Sequence, residues 1–280
     1  DALIVGDSVL CIAVADENRV EFVNTTTKKA DAAVSIDNPR ELAYESGSNY
    51  LYVSSYTGKV YKIDMTTRTI AGESAVVGAN LEGIAVAGNK LYVCNSCSSD
   101  YTTYYKNVVE LNASTLAKNQ DIEVVDDPVD VINAGSAIFI LSMGIYADKD
   151  KPATVQILKD GQLSTIGNAT MMAYDAYNDQ LYMINAPFGG DKEYKVYNLK
   201  NGQTTTFLTN PDIFSPYSLA VNPVNGDVFI TSSTKNPDTG YADYTADCKL
   251  YRYTSAGILL GTYDCGVNPG TIVCDSYYQK

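Results

Sequence analysis

Apolar positions along this chain fall into short runs that recur in a fixed order. Each cycle holds a small apolar run, a turn, a run of Leu-Tyr-Val type, a loop, and a run in which apolar and polar residues alternate. The Leu-Tyr-Val run occupies residues 10–14, 51–55, 91–95, 138–142, 181–185 and 228–232, and the alternating run follows at 20–24, 60–64, 108–112, 155–159, 196–200 and 250–254. Runs of this length, rich in Val, Ile, Tyr and Thr and bounded by Gly, Asn and Asp, predict strands. A period of roughly 40 to 50 residues holding about four strands is the mark of propeller blades. The predicted fold is therefore all-β, a propeller of four-stranded antiparallel blades.

The smaller run that begins each cycle falls at 2–5, 42–44, 84–87, 129–132, 172–174, 219–221 and 271–274. Seven inner strands thus stand against six of each other kind. This predicts a seven-bladed ring whose closing blade is only partly represented here, its partner strands preceding Asp1, because closure removes open sheet edges. The alternative is a six-bladed ring in which the terminal strand joins the N-terminal blade. No Pro-, Gly- or Ser-rich linker divides the repeats, so residues 1–280 are expected to form one domain.

The connection between the second and third strands of a blade leaves on the same face as the connection to the next blade. In the first two cycles it is short, at 16–18 and 56–58. In the next four it lengthens to 95–107, 143–153, 186–195 and 233–247. These segments carry Asn95, Tyr101, Tyr104, Tyr105, Met143, Tyr146, Phe188, Tyr241 and Tyr244. Tyr combines an apolar face with a hydrogen-bonding tip at low entropic cost, so the aromatic loops are the expected binding surface. Packing of the loops on one another is the competing reading for any single Tyr. Tyr56 belongs to the same face. Residues just before the inner strands, Arg40, Glu82, Asp127, Met171 and Tyr217, are expected to ring its centre, and Arg40 and Glu82 hold corresponding repeat positions.

Composition narrows the chemistry. The chain has 280 residues, 20 Lys and Arg against 33 Asp and Glu, no His and no Trp. A net charge of −13 repels phosphate backbones, so nucleic acid is not an expected partner. The lack of His removes the usual general base and the commonest neutral metal ligand. No run of about 18 apolar residues is present to cross a membrane. The Asp-rich segments 148–150 and 238–247 do not match the Ca²⁺-wrapping loop, and no phosphate-binding Gly loop or nucleophile elbow occurs. Neither an intrinsic cofactor, a metal nor a catalytic residue is expected.

Six Cys are present. Counting outward from a turn at Ala256-Gly257 places Cys248 opposite Cys265, which makes a cross-strand disulfide the first expectation for that pair and implies an oxidising compartment. Cys94 and Cys97 form a Cys-x-x-Cys pair that is expected to be a local disulfide or two thiols, since one such pair cannot complete a zinc site.

The stretches 39–44, 50–64, 81–87, 91–93 and 266–270 resemble the YncE-like propellers, often labelled surface-layer proteins, and the likeness runs through the whole chain. Within that family the chain is similar to the BtuG-type surface lipoproteins of gut Bacteroidetes. The resemblance implies a seven-bladed, non-enzymatic protein at the extracellular face of the outer membrane. It also implies a lipid anchor in an N-terminal segment not present here, and capture of cobalamin or another corrinoid for a TonB-dependent transporter. A periplasmic location, a protein- or glycan-interaction role, and more distantly a propeller lyase or lactonase, are the alternatives.

Overall fold

The computed structural model describes residues 1–6, 8–146 and 148–275. It is all-β apart from a single-turn 3-10 helix at Ala15–Glu17, and it holds six blades. The first is β1 (Ala2–Val5), β2 (Val9–Val14), β3 (Arg19–Asn24) and β4 (Lys29–Ser35). The second is β5 (Pro39–Glu45), β6 (Tyr50–Ser55), β7 (Val60–Asp64) and β8 (Thr69–Glu73). The third is β9 (Leu81–Ala87), β10 (Lys90–Cys97), β11 (Tyr104–Asn112) and β12 (Lys118–Glu123). The fourth is β13 (Pro128–Asn133), β14 (Ile138–Ser142), β15 (Thr154–Lys159) and β16 (Gln162–Gly167). These four make one compact unit, residues 1–167.

The second unit, from residue 168 onward, holds two blades. One is β17 (Met171–Asp175), β18 (Gln180–Asn185), β19 (Glu193–Asn198) and β20 (Gln203–Leu208). The other is β21 (Ser215–Val221), β22 (Val228–Lys235), β24 (Cys248–Tyr253) and β25 (Leu259–Cys265), with the two-residue β23 (Ala242–Asp243) pairing back onto β22.

The core lies between blades, and this explains why the second strands are apolar without interruption. Successive residues of a strand face opposite sides of its sheet. Leu51 and Val53 therefore enter the cluster shared with the first blade, with Val20 and Phe22, while Tyr52 enters the one shared with the third. In β10, Leu91 and Val93 face the second blade and Tyr92 and Cys94 face the fourth. In the second unit Tyr182 and Ile184 meet Val228, Ile230 and Tyr253 in the same manner. The repeat Tyr adds a polar tie. Tyr52 Oη donates to the Ala113 carbonyl of the next blade at 3.1 Å, and Tyr182 Oη donates to that of Ser255 at 3.2 Å.

The expected seventh blade is not formed among the described residues, which make six. Residues 271–275 form no strand, and β1 pairs with β2 alone. Pro269 and Gly270 turn the chain over the last blade rather than along its edge. Thr231 Oγ1 donates to the Pro269 carbonyl at 3.0 Å, Asn268 Nδ2 donates to the Tyr244 carbonyl at 3.2 Å, and Gly270 sits against the Tyr217 ring. Alternation at 271–274 has the pattern of a strand, but pattern supplies no partner. Residues 276–280 lie outside the described residues.

Two of the long loops are shorter than expected, because strand pairing continues into them. β10 reaches Cys97 through a bulge after Asn95 and pairs with β11 from Tyr104, leaving 98–103 as the connection. β22 likewise runs to Lys235 and takes β23 as a partner. The hairpin at the chain's end has the expected pairing, with Cys248 opposite Cys265, although a bulge falls between Arg252 and Tyr253. Both sulfurs are free thiols, Cys248 fully buried and Cys265 half-buried. Direct opposition favours bond formation. Oxidation by diamide is expected to remove two hydrogens from the intact mass, and C248S is expected to abolish that loss.

The inner strands β9 and β13 approach closely at Gly83. A Cβ there would lie 2.6 Å from Asp130 Cα and 2.8 Å from Val131 N, so β9 and β13 can pack as they do only around a glycine. Backbone cannot yield as a side chain can. Gly83→Ala is expected to lower the stability by roughly 2–3 kcal/mol in urea denaturation, within the usual range for overpacking.

Candidate functional site

In the first unit, the inner strands β5 and β9 and the turn after β6 gather Arg40, Tyr56 and Glu82. Arg40 Nε and Nη2 donate to Glu82 Oε2 at 3.1 and 2.9 Å, Tyr56 Oη donates to Glu82 Oε1, and the Arg40 guanidinium stands 4.5 Å from the centre of the Tyr56 ring. Burial and the Glu82 carboxylate together push the Tyr56 hydroxyl well above its ordinary value, so it remains a donor. Pro39 and Leu81 take equivalent register places opposite Ser55 and Asn95, which is why Arg40 and Glu82, one residue on, meet across adjacent blades.

Two carboxyls lie one residue further along. Leu42, Ile84 and Val131 are equivalent by register, opposite Val53, Val93 and Ile140, so Glu41, Gly83 and Asp130 form a row across three inner strands. The missing side chain of Gly83 leaves Glu41 and Asp130 to face each other. Both are half-buried by surface exposure, and both are strongly desolvated by the surrounding protein atoms. Desolvation raises both above the ordinary carboxylate range, and for Glu41 the Asp130 and Glu82 charges add to it. Asp130 accepts the backbone N–H of Val131, which partly offsets its desolvation. The proton is best assigned to the pair rather than to either member. Beneath them the Cys94 thiol is fully buried and held well above its usual value. Asp127, raised by burial, accepts from Ser96 Oγ at 2.6 Å nearby.

The remaining expected site residues of this unit divide in two. Tyr101 is exposed and electrostatically close to Tyr56, and Tyr146 is 80% exposed. Tyr104 and Tyr105 are half-buried at the start of β11, and Met143 is partly exposed with its N–H on the Asp127 carbonyl. Asn95 is 5% exposed and fully occupied within the fold. Its Oδ1 accepts Ala79 N–H at 2.8 Å and its Nδ2 donates to Asn107 at 2.9 Å. The equivalence of Glu41 and Asp130 was available in the repeat alignment, but their meeting required Gly83.

In the second unit the loops after β18 and β22 bring Phe188 and Tyr241 together. The rings are 6.0 Å apart and 19° from parallel, with Phe188 82% and Tyr241 64% exposed. In the same unit Phe214 is flanked by the Lys192 and Lys235 ammonium groups at 5.7 and 6.0 Å, and Lys192 donates to the Phe214 carbonyl. Tyr244 is exposed and Tyr217 partly so, the latter against Gly270. Phe214 and the two Lys were not legible as a group, since they come from separate segments. Among the described residues no cluster of three or more Asp, Glu or Cys is arranged to hold a metal ion.

Solved structures confirm the architecture. The chain is similar to hydrazine synthase of Kuenenia stuttgartiensis, with a TM-score of 0.74, 14% identity, and coverage of 99% of this chain and 89% of that one. It is also similar to U3-55K, with a TM-score of 0.70, 10% identity, and coverage of 98% and 85%. At such identity the likeness establishes the β-propeller fold alone. No family model matches the sequence, and no curated protein matches it.

The carboxyl pair has a thermodynamic consequence. The folded chain keeps a proton that the unfolded chain has already released, so stability falls as pH rises from the ordinary carboxylate value towards about 8. Thermal melts are expected to show a falling Tm across that window. Glu41→Gln is expected to flatten the fall, and an unchanged slope would refute the assignment.

Proposed function

We propose that this protein is a non-enzymatic interaction module that docks another protein through the aromatic loops of its second unit. The observation that carries the reading is the pair of stacked, exposed rings, Phe188 and Tyr241. Large apolar rings standing in water at the tips of loops cost solvation free energy, and burial against a partner recovers it. Aromatic anchors of this kind dominate protein interfaces, where they bury much area with few rotamers to fix. Lys192 and Lys235 provide a cationic rim that suits an acidic edge on the partner. The propeller fold is consistent with such a role.

A second reading is favoured by Arg40, Tyr56 and Glu82, which interlock on the inner strands of the first unit. They suit a small-molecule nutrient, of which cobalamin or another corrinoid is the instance implied by the family resemblance, passed on to a TonB-dependent transporter. Titration with cyanocobalamin tests it directly.

For the leading reading, p-benzoylphenylalanine at position 188, irradiated in native extract, is expected to give a discrete protein adduct that excess unlabelled chain competes away. The double change Phe188→Ala and Tyr241→Ala is expected to weaken that competition at least about tenfold with Tm unchanged. Absence of an adduct, with signal on a glycan array instead, would overturn the protein-docking reading.

A further inference from the structure

The Tyr that ties one blade to the next is left without its partner in one place. In the second blade Tyr52 Oη donates to Ala113 O, and in the fifth Tyr182 Oη donates to Ser255 O; each acceptor follows the third strand of the neighbouring blade. Tyr92 stands at the same repeat position in the third blade, opposite Glu110 of β11. Its counterpart turn in the fourth blade is Asp160-Gly161, yet the Tyr92 hydroxyl makes no hydrogen bond among the described residues. Tyr92 is 7% exposed, and desolvation raises its hydroxyl above the ordinary value. Instead of a bond there is a cavity of about 490 Å³ between the third and fourth blades, walled by Tyr92 and, on the far side, by Leu158, Asp160 and Gly161. Lining a cavity of this size, the hydroxyl is open to a ligand or water.

The lining indicates what would fit. Glu110 is neutralised by Lys90 at 3.1 Å and takes further bonds from Asn119 and Gln120, and Asp121 is paired with Lys118 at 2.7 Å. Most of the charge is therefore already matched, and neither a strong anion nor a strong cation is required. The groups still open are hydroxyls and acceptors: Tyr92 Oη, Ser136 Oγ, Gln120 Oε1 and the Asp160 carboxylate. Ile122, Ile138 and Leu158 add apolar surface to the lining. Donors and acceptors set among apolar side chains match a ring that carries hydroxyls on its rim and C–H groups on its face.

We propose that the cavity between the third and fourth blades is a binding site for a neutral polyhydroxylated ring, a monosaccharide or cyclitol, with the Tyr92 hydroxyl as its central hydrogen-bonding group. The site belongs to the first unit and is independent of the aromatic loops. No proton or covalent step is involved.

Isothermal titration of the full chain with methyl glucopyranoside, methyl galactopyranoside and myo-inositol tests this. At least one is expected to bind at millimolar concentration or below. Tyr92→Phe, which keeps the ring and the packing, is expected to weaken binding about tenfold, as loss of one good hydrogen bond would. Ala137→Leu, which fills the cavity, is expected to abolish it, with circular dichroism confirming the fold of both variants. Ligand-detected saturation-transfer spectra provide a second readout. Failure of all three probes with the wild-type chain would overturn the proposal, and so would equal binding by folded Tyr92→Phe. Binding lost in the Phe188 and Tyr241 double variant but kept in both cavity variants would place the sugar on the aromatic loops and overturn it as well.

Discussion

The close approach of β9 and β13 at Gly83 is the constraint on which the inner wall of the first unit depends. With any side chain there, a Cβ would meet the backbone of the next blade at 2.6 Å, and the strands would have to separate. Because they do not, the residues on either side of the glycine are forced into one another's field. Glu41 and Asp130 lose water and gain a like-charged neighbour together, and both effects favour the protonated form. The Arg40–Glu82 pair lies one step back along the same strands, so its single cation is already committed when the second pair of carboxyls is reached.

Packing between blades obeys a simpler rule, which the exceptions make visible. Each second strand serves two cores at once, one through Leu and Val and the other through Tyr, so a single strand sets the spacing on both of its sides. Where the Tyr hydroxyl finds the carbonyl beyond the next blade's third strand, as Tyr52 and Tyr182 do, the seam is tied at its outer end. At Tyr92 the same side chain lines a cavity. Repetition thus provides its own control: one sequence position, three seams, two outcomes.

Much of the fold was legible because strands announce themselves by local pattern. The six second strands and six third strands fall where the apolar runs place them, and the Cys248–Cys265 register follows from a hairpin whose ends are only a few residues apart. Residues 271–274 carry the same alternation and are not a strand, because alternation says which face is apolar and nothing about whether an edge is free to pair. The site divides likewise. Arg40 and Glu82 could be matched through equivalent places in adjacent repeats. Glu41 and Asp130 are separated by a whole blade, and only the absence of a side chain at Gly83 brings them together. Asn95 lies in a segment that reads as loop, but the bulged ladder of β10 draws it into the interior, where its amide holds the backbone.

The account's central claim, that packing around Gly83 makes Glu41 and Asp130 a single proton-holding unit, is tested most directly by following their side-chain carboxyl ¹³C shifts through a pH titration. The account predicts that both resonances move above the ordinary carboxylate range and that Asp130→Asn brings the Glu41 midpoint down towards it. Two independent titrations near the ordinary carboxylate values, each indifferent to loss of the other, would contradict it.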